Sequence, residues 1–174
     1  MKETAQNNIS KGSVFRISTL VFIKNERGEL LLLKRTKSPN KGKWSPIGGK
    51  LEIDTGESPF ECAIRETQEE ADFSIKEKDL HLFSYVSEKS YEGTGHWLMF
   101  LFNCTKGLTF LPKVREEGKL AFFSRSKIEE LMIPETDRLL IWPLYDRLGE
   151  KGFAAVKANC ENESNLRIVI EEEF

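Results

Sequence analysis

Long apolar runs are missing from this chain. No stretch approaches the ~20 residues that span a bilayer, and Met1–Ser10 is polar, without the apolar centre of a secretory leader. The expectation is a cytoplasmic protein with no membrane partner. Cysteine is scarce. Cys62, Cys104 and Cys160 are odd in number and far apart, which excludes zinc-site spacing and suits reduced thiols. Histidine is scarcer still, and His81 and His96 fall on separate strand-like segments that form no site. A surplus of positive charge is also missing. With 26 Lys and Arg against 28 Asp and Glu, the net charge is −2. That excludes a surface built for a nucleic-acid polymer or an anionic membrane. Internal repeats, low-complexity tracts and long linkers are absent too.

What is present is ordinary globular composition, 39% hydrophobic and 31% charged over 174 residues, enough for one domain. Residues 1–12 read as a flexible polar arm and 13–174 as a single domain. Val14 to Ile23 and Leu30 to Lys34 are rich in strand formers and flank the turn signal Asn25-Glu-Arg-Gly28, which predicts a hairpin. Residues 36–49 read as a loop. Ser58-Pro59-Phe60-Glu61 is a helix start, with Ser58 as cap, Pro59 at the first position and Glu61 completing a capping box. That helix is expected to run from Pro59 to about Ala71. Strands are expected at Leu80–Lys89, His96–Cys104 and Leu120–Phe123, then a short helix capped by Ser126 and ending near Leu131. A helix over Asp137–Leu148 and a closing hairpin of Phe153–Lys157 with Leu166–Ile170 complete the chain. Strands and helices interleave without regular βαβ units, so the fold class is mixed α/β, a sheet with helices packed on it.

The chemistry concentrates between Gly48 and Glu70. Glu66 lies three residues before Glu69 and four before Glu70, so all three share one helical face. Like charges so placed repel, and a helix C-terminus disfavours negative charge. A hard divalent cation relieves both, and oxygen-only ligands favour Mg²⁺ or Mn²⁺. The competing reading is a solvated charged face. The preceding Gly48-Gly49 pair favours a ligand site, because it allows close backbone approach.

This stretch resembles the signature of the Nudix hydrolases, G-x5-E-x7-R-E-U-x-E-E-x-G-U with U aliphatic. Seven residues separate Glu57 from Arg65, and Glu66, Glu69 and Glu70 follow in register. The chain departs from the pattern in three places. Seven residues separate Gly49 from Glu57 rather than five, an insertion near Asp54-Thr55. Thr67 replaces an aliphatic residue, and Asp72 replaces the terminal glycine.

The resemblance implies an α+β Nudix fold, a mixed β-sheet sandwiched between helices with a C-terminal β-hairpin. It also implies a hydrolase of phosphoric anhydride bonds that uses Mg²⁺ or Mn²⁺ and takes a nucleotide substrate. A monomer or a homodimer would both suit it. Metal would be held by Gly49, Glu66, Glu69, Glu70 and a later acid, Glu117, with Glu116 the spare. Glu70, Glu69 and Glu117 are the candidates for general base, and Glu57 would orient the site through Arg65. Lys34, Arg35 and Lys50 would contact phosphate. Trp44 and Cys62 are expected to pack rather than react.

The C-terminal third is similar to that of the oxidised-purine nucleoside triphosphatases. There a Trp-Pro-Asp-Asp segment reads the base; here Ile133-Pro134-Glu135-Thr136-Asp137 occupies that place. Glu135 or Asp137 would read a purine edge, unless Asp137 caps the next helix. The implied activity is cleavage of a nucleoside triphosphate, such as an oxidised purine deoxynucleotide, to monophosphate and pyrophosphate. The alternatives are a nucleoside diphosphate linked to another group (ADP-ribose, a nucleotide sugar, a dinucleotide) and a non-catalytic nucleotide-binding module.

Overall fold

The computed structural model describes residues 15–38, 40–91, 95–113, 118–162 and 166–174. The polar arm expected at 1–12 and the acids Glu116 and Glu117 lie outside the described residues.

The first hairpin forms as the turn signal predicts, with β1 at Phe15–Asn25 and β2 at Leu30–Arg35. Both strands carry unbroken apolar runs because both of their faces are covered. Phe22, Leu30 and Leu32 point into one buried cluster, while Val21, Ile23, Leu31 and Leu33 point into another on the opposite side. After β3 (Trp44–Ser45) the chain runs back along the free edge of β1. Val21 N–H bonds the Ile47 carbonyl at 2.8 Å, and Thr19 N–H bonds that of Gly49 at 2.9 Å. Helix α1 (Pro59–Ala71) follows. Then come β4 (Leu80–Lys89), β5 (His96–Leu108) and β6 (Gly118–Phe123).

The sheet order is β3-β2-β1-β5-β4, continuing through β7 (Ala154–Asn159) to β8 (Arg167–Glu173), with β6 paired to β2. β1 runs parallel to β5 and β4 parallel to β7, and the other pairings are antiparallel. The fold is therefore mixed α+β, as expected. α1 covers one side of the sheet through Ala63 and Ala71. α3 (Trp142–Leu148) covers the other, where Trp142 meets Phe22 edge-on at 5.1 Å. Among the described residues, no helix is long and apolar enough to cross a membrane.

Two local expectations are corrected. The short helix α2 spans Arg125–Ile128, and Ser124 rather than Ser126 occupies its N-cap position. Asp137 is not a cap. It lies inside the helical run that leads into α3, in a π turn over Asp137–Ile141 where Trp142 N–H bonds the Asp137 carbonyl five residues back. Pro143 has no N–H to return to the Leu139 carbonyl, and a wide turn accommodates that loss.

Candidate active site

α1 is fixed at both ends by its own sequence. Ser58 Oγ accepts from Glu61 N–H at 3.2 Å, and Glu61 Oε2 accepts from Ser58 N–H at 2.8 Å, a capping box of the kind whose Ser is worth about 1 kcal/mol. Asp72 closes the helix in left-handed geometry at φ 51°, the role usually given to glycine. Thr67 is fully buried, and its hydroxyl donates to the Ala63 carbonyl at 2.7 Å. That bond is how a polar residue survives at an aliphatic position.

The glycine pair lies against this helix. A side chain on Gly48 would strike the Thr19 carbonyl oxygen at 2.1 Å, and its φ of 147° is one that L residues rarely adopt. Gly48 N–H donates to Glu70 Oε2 at 2.9 Å, which holds that buried carboxylate beneath the loop. A side chain on Gly49 would strike the Glu66 carboxylate at 2.1 Å. Cys62 is buried under the same loop, with Sγ 3.4 Å from Thr19 Oγ1, and burial pushes its thiol up to about 11. It packs, as does Trp44, which meets Phe123 edge-on at 4.8 Å.

Arg65 joins the parts. Its Nε and Nη2 donate to the two oxygens of Glu57 at 2.7 and 2.9 Å, a bidentate pair. Nη1 donates to Glu66 at 2.7 Å and Glu69 at 3.2 Å, and Nη2 also reaches the Lys50 carbonyl at 3.1 Å. The guanidinium holds Glu57 below the usual carboxylate range. Burial raises Glu66, with Arg65 pulling it back. Between Gly49 and Glu57, Ile53–Thr55 form a tight exposed turn closed on the Glu52 carbonyl, so the two-residue insertion stands outward.

A cavity of about 520 Å³ opens beside this loop–helix unit, within the range of small-molecule sites. Gly49, Lys50, Arg65 and Glu66 line one part, and Glu88 and Asp137 line another. Among the described residues, three buried polar atoms with no hydrogen-bond partner, Ser45 Oγ, Glu88 Oε1 and Trp97 Nε1, belong to residues of its lining. Native interiors keep such atoms few. Burial, with the neighbouring Asp137 charge, pushes the Glu88 carboxyl up to about 8. Burial pushes Asp137 up to about 7, against the pull of Lys43 and Arg35.

Residues 14–146 match the model of the NUDIX domain. The chain belongs to the Nudix family. Solved structures agree in fold. The mutator MutT protein of Bacillus halodurans is 22% identical, with a TM-score of 0.71 over 90% of this chain and 97% of that one. A MutT protein from Methanosarcina mazei Go1 is 26% identical, with a TM-score of 0.63 over 79% of this chain and 95% of that one. The NUDIX domain of Shewanella oneidensis NrtR, crystallised with ADP-ribose, is 14% identical, with a TM-score of 0.61 over 78% of this chain and 88% of that one. The protein is a Nudix hydrolase, acting on pyrophosphate bonds.

Nudix hydrolases generally use divalent metal ions. Among the described residues, no three His, Cys, Asp or Glu side chains converge as a ready ion cage. Arg65 draws Glu66 and Glu69 to itself, and Gly48 holds Glu70. The donor chemistry nevertheless fits: three carboxylates on adjacent turns of one helix, all oxygen, with the side-chain-free Gly49 against Glu66.

Not every residue singled out in the Nudix sequence reaches the cavity. Arg35, Gly49, Lys50, Arg65, Glu66 and Asp137 line it, whereas Glu57, Glu69 and Glu70 lie outside the lining. Lys34 is exposed on β2 outside the lining. Strand alternation places it opposite to Arg35, so the two could not both face inward. Glu135 is 61% exposed, lies 3.6 Å from Arg138 and borders a separate small cavity. Glu117 lies outside the described residues. Sequence reasoning missed Glu88. The readable signal was alternation in β4, where Ser84, Val86 and Glu88 share one buried face.

Proposed function

We propose that this Nudix hydrolase cleaves a nucleoside triphosphate to monophosphate and pyrophosphate, with Mg²⁺ as cofactor and Mn²⁺ able to replace it. The observation that carries the reading is one cavity that joins the Glu66–Gly49 wall to the buried acids Glu88 and Asp137, with polar atoms of Ser45, Glu88 and Trp97 in its lining unpaired among the described residues. Such a cavity has one wall suited to phosphates and another suited to a base.

Glu66, Glu69, Glu70 and the Gly49 carbonyl would hold the ion. When bound, it offsets phosphate charge and lowers the pKa of a bound water. Arg65 locks Glu57 and the loop, so that Glu66 and Gly49 keep their mutual position. Lys50 and Arg35 contact phosphate oxygens. Glu69, Glu70 or Glu117 takes the proton of the attacking water. Asp137, rather than the outward Glu135, reads the base edge. It donates a hydrogen bond below about pH 7 and only accepts above it. A buried acid discriminates strongly, because the wrong base leaves it unpaired. The segment's resemblance to the oxidised-purine enzymes makes oxidised purine deoxynucleotides the favoured class. The three buried free thiols suit a cytoplasmic setting.

Asp137→Asn and Glu135→Ala test this reading through the ratio of kcat/KM between oxidised and ordinary purine triphosphates. Asp137→Asn should shift the ratio by about tenfold or more, and Glu135→Ala should leave it alone. An unchanged ratio in both variants, with preference for a sugar-linked diphosphate, would refute the triphosphatase reading and leave the pyrophosphate chemistry standing.

A further inference from the structure

β8 ends the sheet order, so one of its edges pairs with no other strand among the described residues. Every residue of Arg167–Glu173 is exposed, including Ile168 at 38%, Val169 at 52% and Ile170 at 44%. A free apolar edge is a template for another strand, and natural sheets usually blunt it with charge, proline, a bulge or cover. β8 has its charges at Arg167 and Glu171–Glu173 and its bulge after Ile170, so the bare stretch of the edge is Ile168–Ile170.

Its sequence is self-complementary. In Arg167-Ile168-Val169-Ile170-Glu171, a basic residue and an acidic residue flank an apolar centre symmetrically. Two copies paired antiparallel about Val169 would set Val169 against itself, Ile168 against the partner's Ile170, and Arg167 against the partner's Glu171 on both sides. Neither Arg167 nor Glu171 has an ion-pair partner among the described residues. Alternation puts Arg167, Val169 and Glu171 on one face. Glu171 is the extra residue of a bulge, opposed to no residue of β7, and it borders a shallow groove with Phe15, Tyr85, Leu98 and Phe100.

We propose that β8 is a homodimer edge, pairing antiparallel with β8 of a second copy in the register centred on Val169, so that one sheet continues across a twofold axis. A single strand pair is smaller than the roughly 1,200–2,000 Å² of stable interfaces. The dimer is therefore a reversible one, with a dissociation constant on the order of micromolar to tens of micromolar.

The register gives a sharp test. Directly opposed strand residues sit about 4.5–5.5 Å apart at Cα, within disulfide reach, and only position 169 faces itself. Under mild oxidation Val169→Cys should give a reducible covalent dimer. Arg167→Cys should not, because its twofold copy lies about four residues further along the strand. The native cysteines are buried. By sedimentation velocity, Arg167→Glu should weaken the wild-type dimer by about tenfold, since both ion pairs become repulsive. Combining Arg167→Glu with Glu171→Arg should restore it. Hydrolase activity serves as the folding control, because no residue of β8 lines the cavity. A wild type that stays monomeric up to about 0.3 mM, well above that dissociation constant, overturns the proposal. So does a dimer indifferent to Arg167→Glu, or equal cross-linking at positions 167 and 169.

Discussion

Glu88 is an acid on a core-facing strand position, 2% exposed, with one carboxylate oxygen unpartnered among the described residues. Such a group should make the protein less stable as pH rises. In the unfolded chain Glu88 loses its proton near 4.5, whereas in the folded chain burial holds the proton to about 8. Between those values unfolding releases a proton, so stability falls as pH rises through the window and levels off above about 8. Asp137 acts in the same direction over a lower window, from 3.8 to about 7. Lys43 and Arg35 face it with opposing charge, and Cys160 is a further buried titratable group near Glu88. The interval from 4.5 to about 8 sets a ceiling of roughly 5 kcal/mol for Glu88. About half of that would still move Tm by ~5–10 °C in a chain of this size.

The assay is thermal or urea unfolding of the ligand-free protein at pH 5.5, 7 and 9, in wild type and Glu88→Gln. The wild type should lose stability across the series. Glu88→Gln, whose amide does not ionise, should lose much less between pH 7 and 9 and become the more stable of the two at pH 9. Parallel pH profiles for the two proteins would refute the reasoning. They would mean that Glu88 ionises inside the fold without cost.

Two further predictions concern the loop–helix unit beside the cavity. Glu70→Gln should fold normally and lower turnover by a factor of about a hundred or more; undiminished hydrolysis in excess EDTA would contradict the metal-dependent account. Deleting Asp54 and Thr55 should keep activity within about tenfold, or roughly 1.4 kcal/mol of barrier, because their turn closes on itself outside the cavity; a far larger loss of kcat would show that the turn shapes the site.

Local interactions were legible in the sequence. The α1 boundaries and the capping box follow from residues within three or four positions of one another, and the structure has both. The Glu57–Arg65 pair was readable through the resemblance to the Nudix signature, and the structure has it. Tertiary matters were not legible. Lys34 and Arg35 are both cations beside the loop, but strand alternation lets only one face the cavity. Asp137 resembled a cap because a helix begins near it. The structure starts that helical run earlier, widens it into a π turn before Pro143, and buries the acid instead. Glu88 feels the charge of Asp137 and shares a cavity with it only because the fold brings β4 and the 137–141 turn near each other, a juxtaposition of residues about fifty positions apart that no short-range pattern encodes.

The most direct test of the central claim is product analysis. Purified protein with Mg²⁺ is given purine nucleoside triphosphates, oxidised and ordinary, alongside ADP-ribose, and pyrophosphate and phosphate are measured separately with the nucleotide product identified. The account predicts monophosphate and pyrophosphate in equal amounts from a triphosphate, abolished by EDTA and cut about a hundredfold by Glu70→Gln. Release of phosphate with a nucleoside diphosphate, or cleavage of ADP-ribose alone, would contradict it.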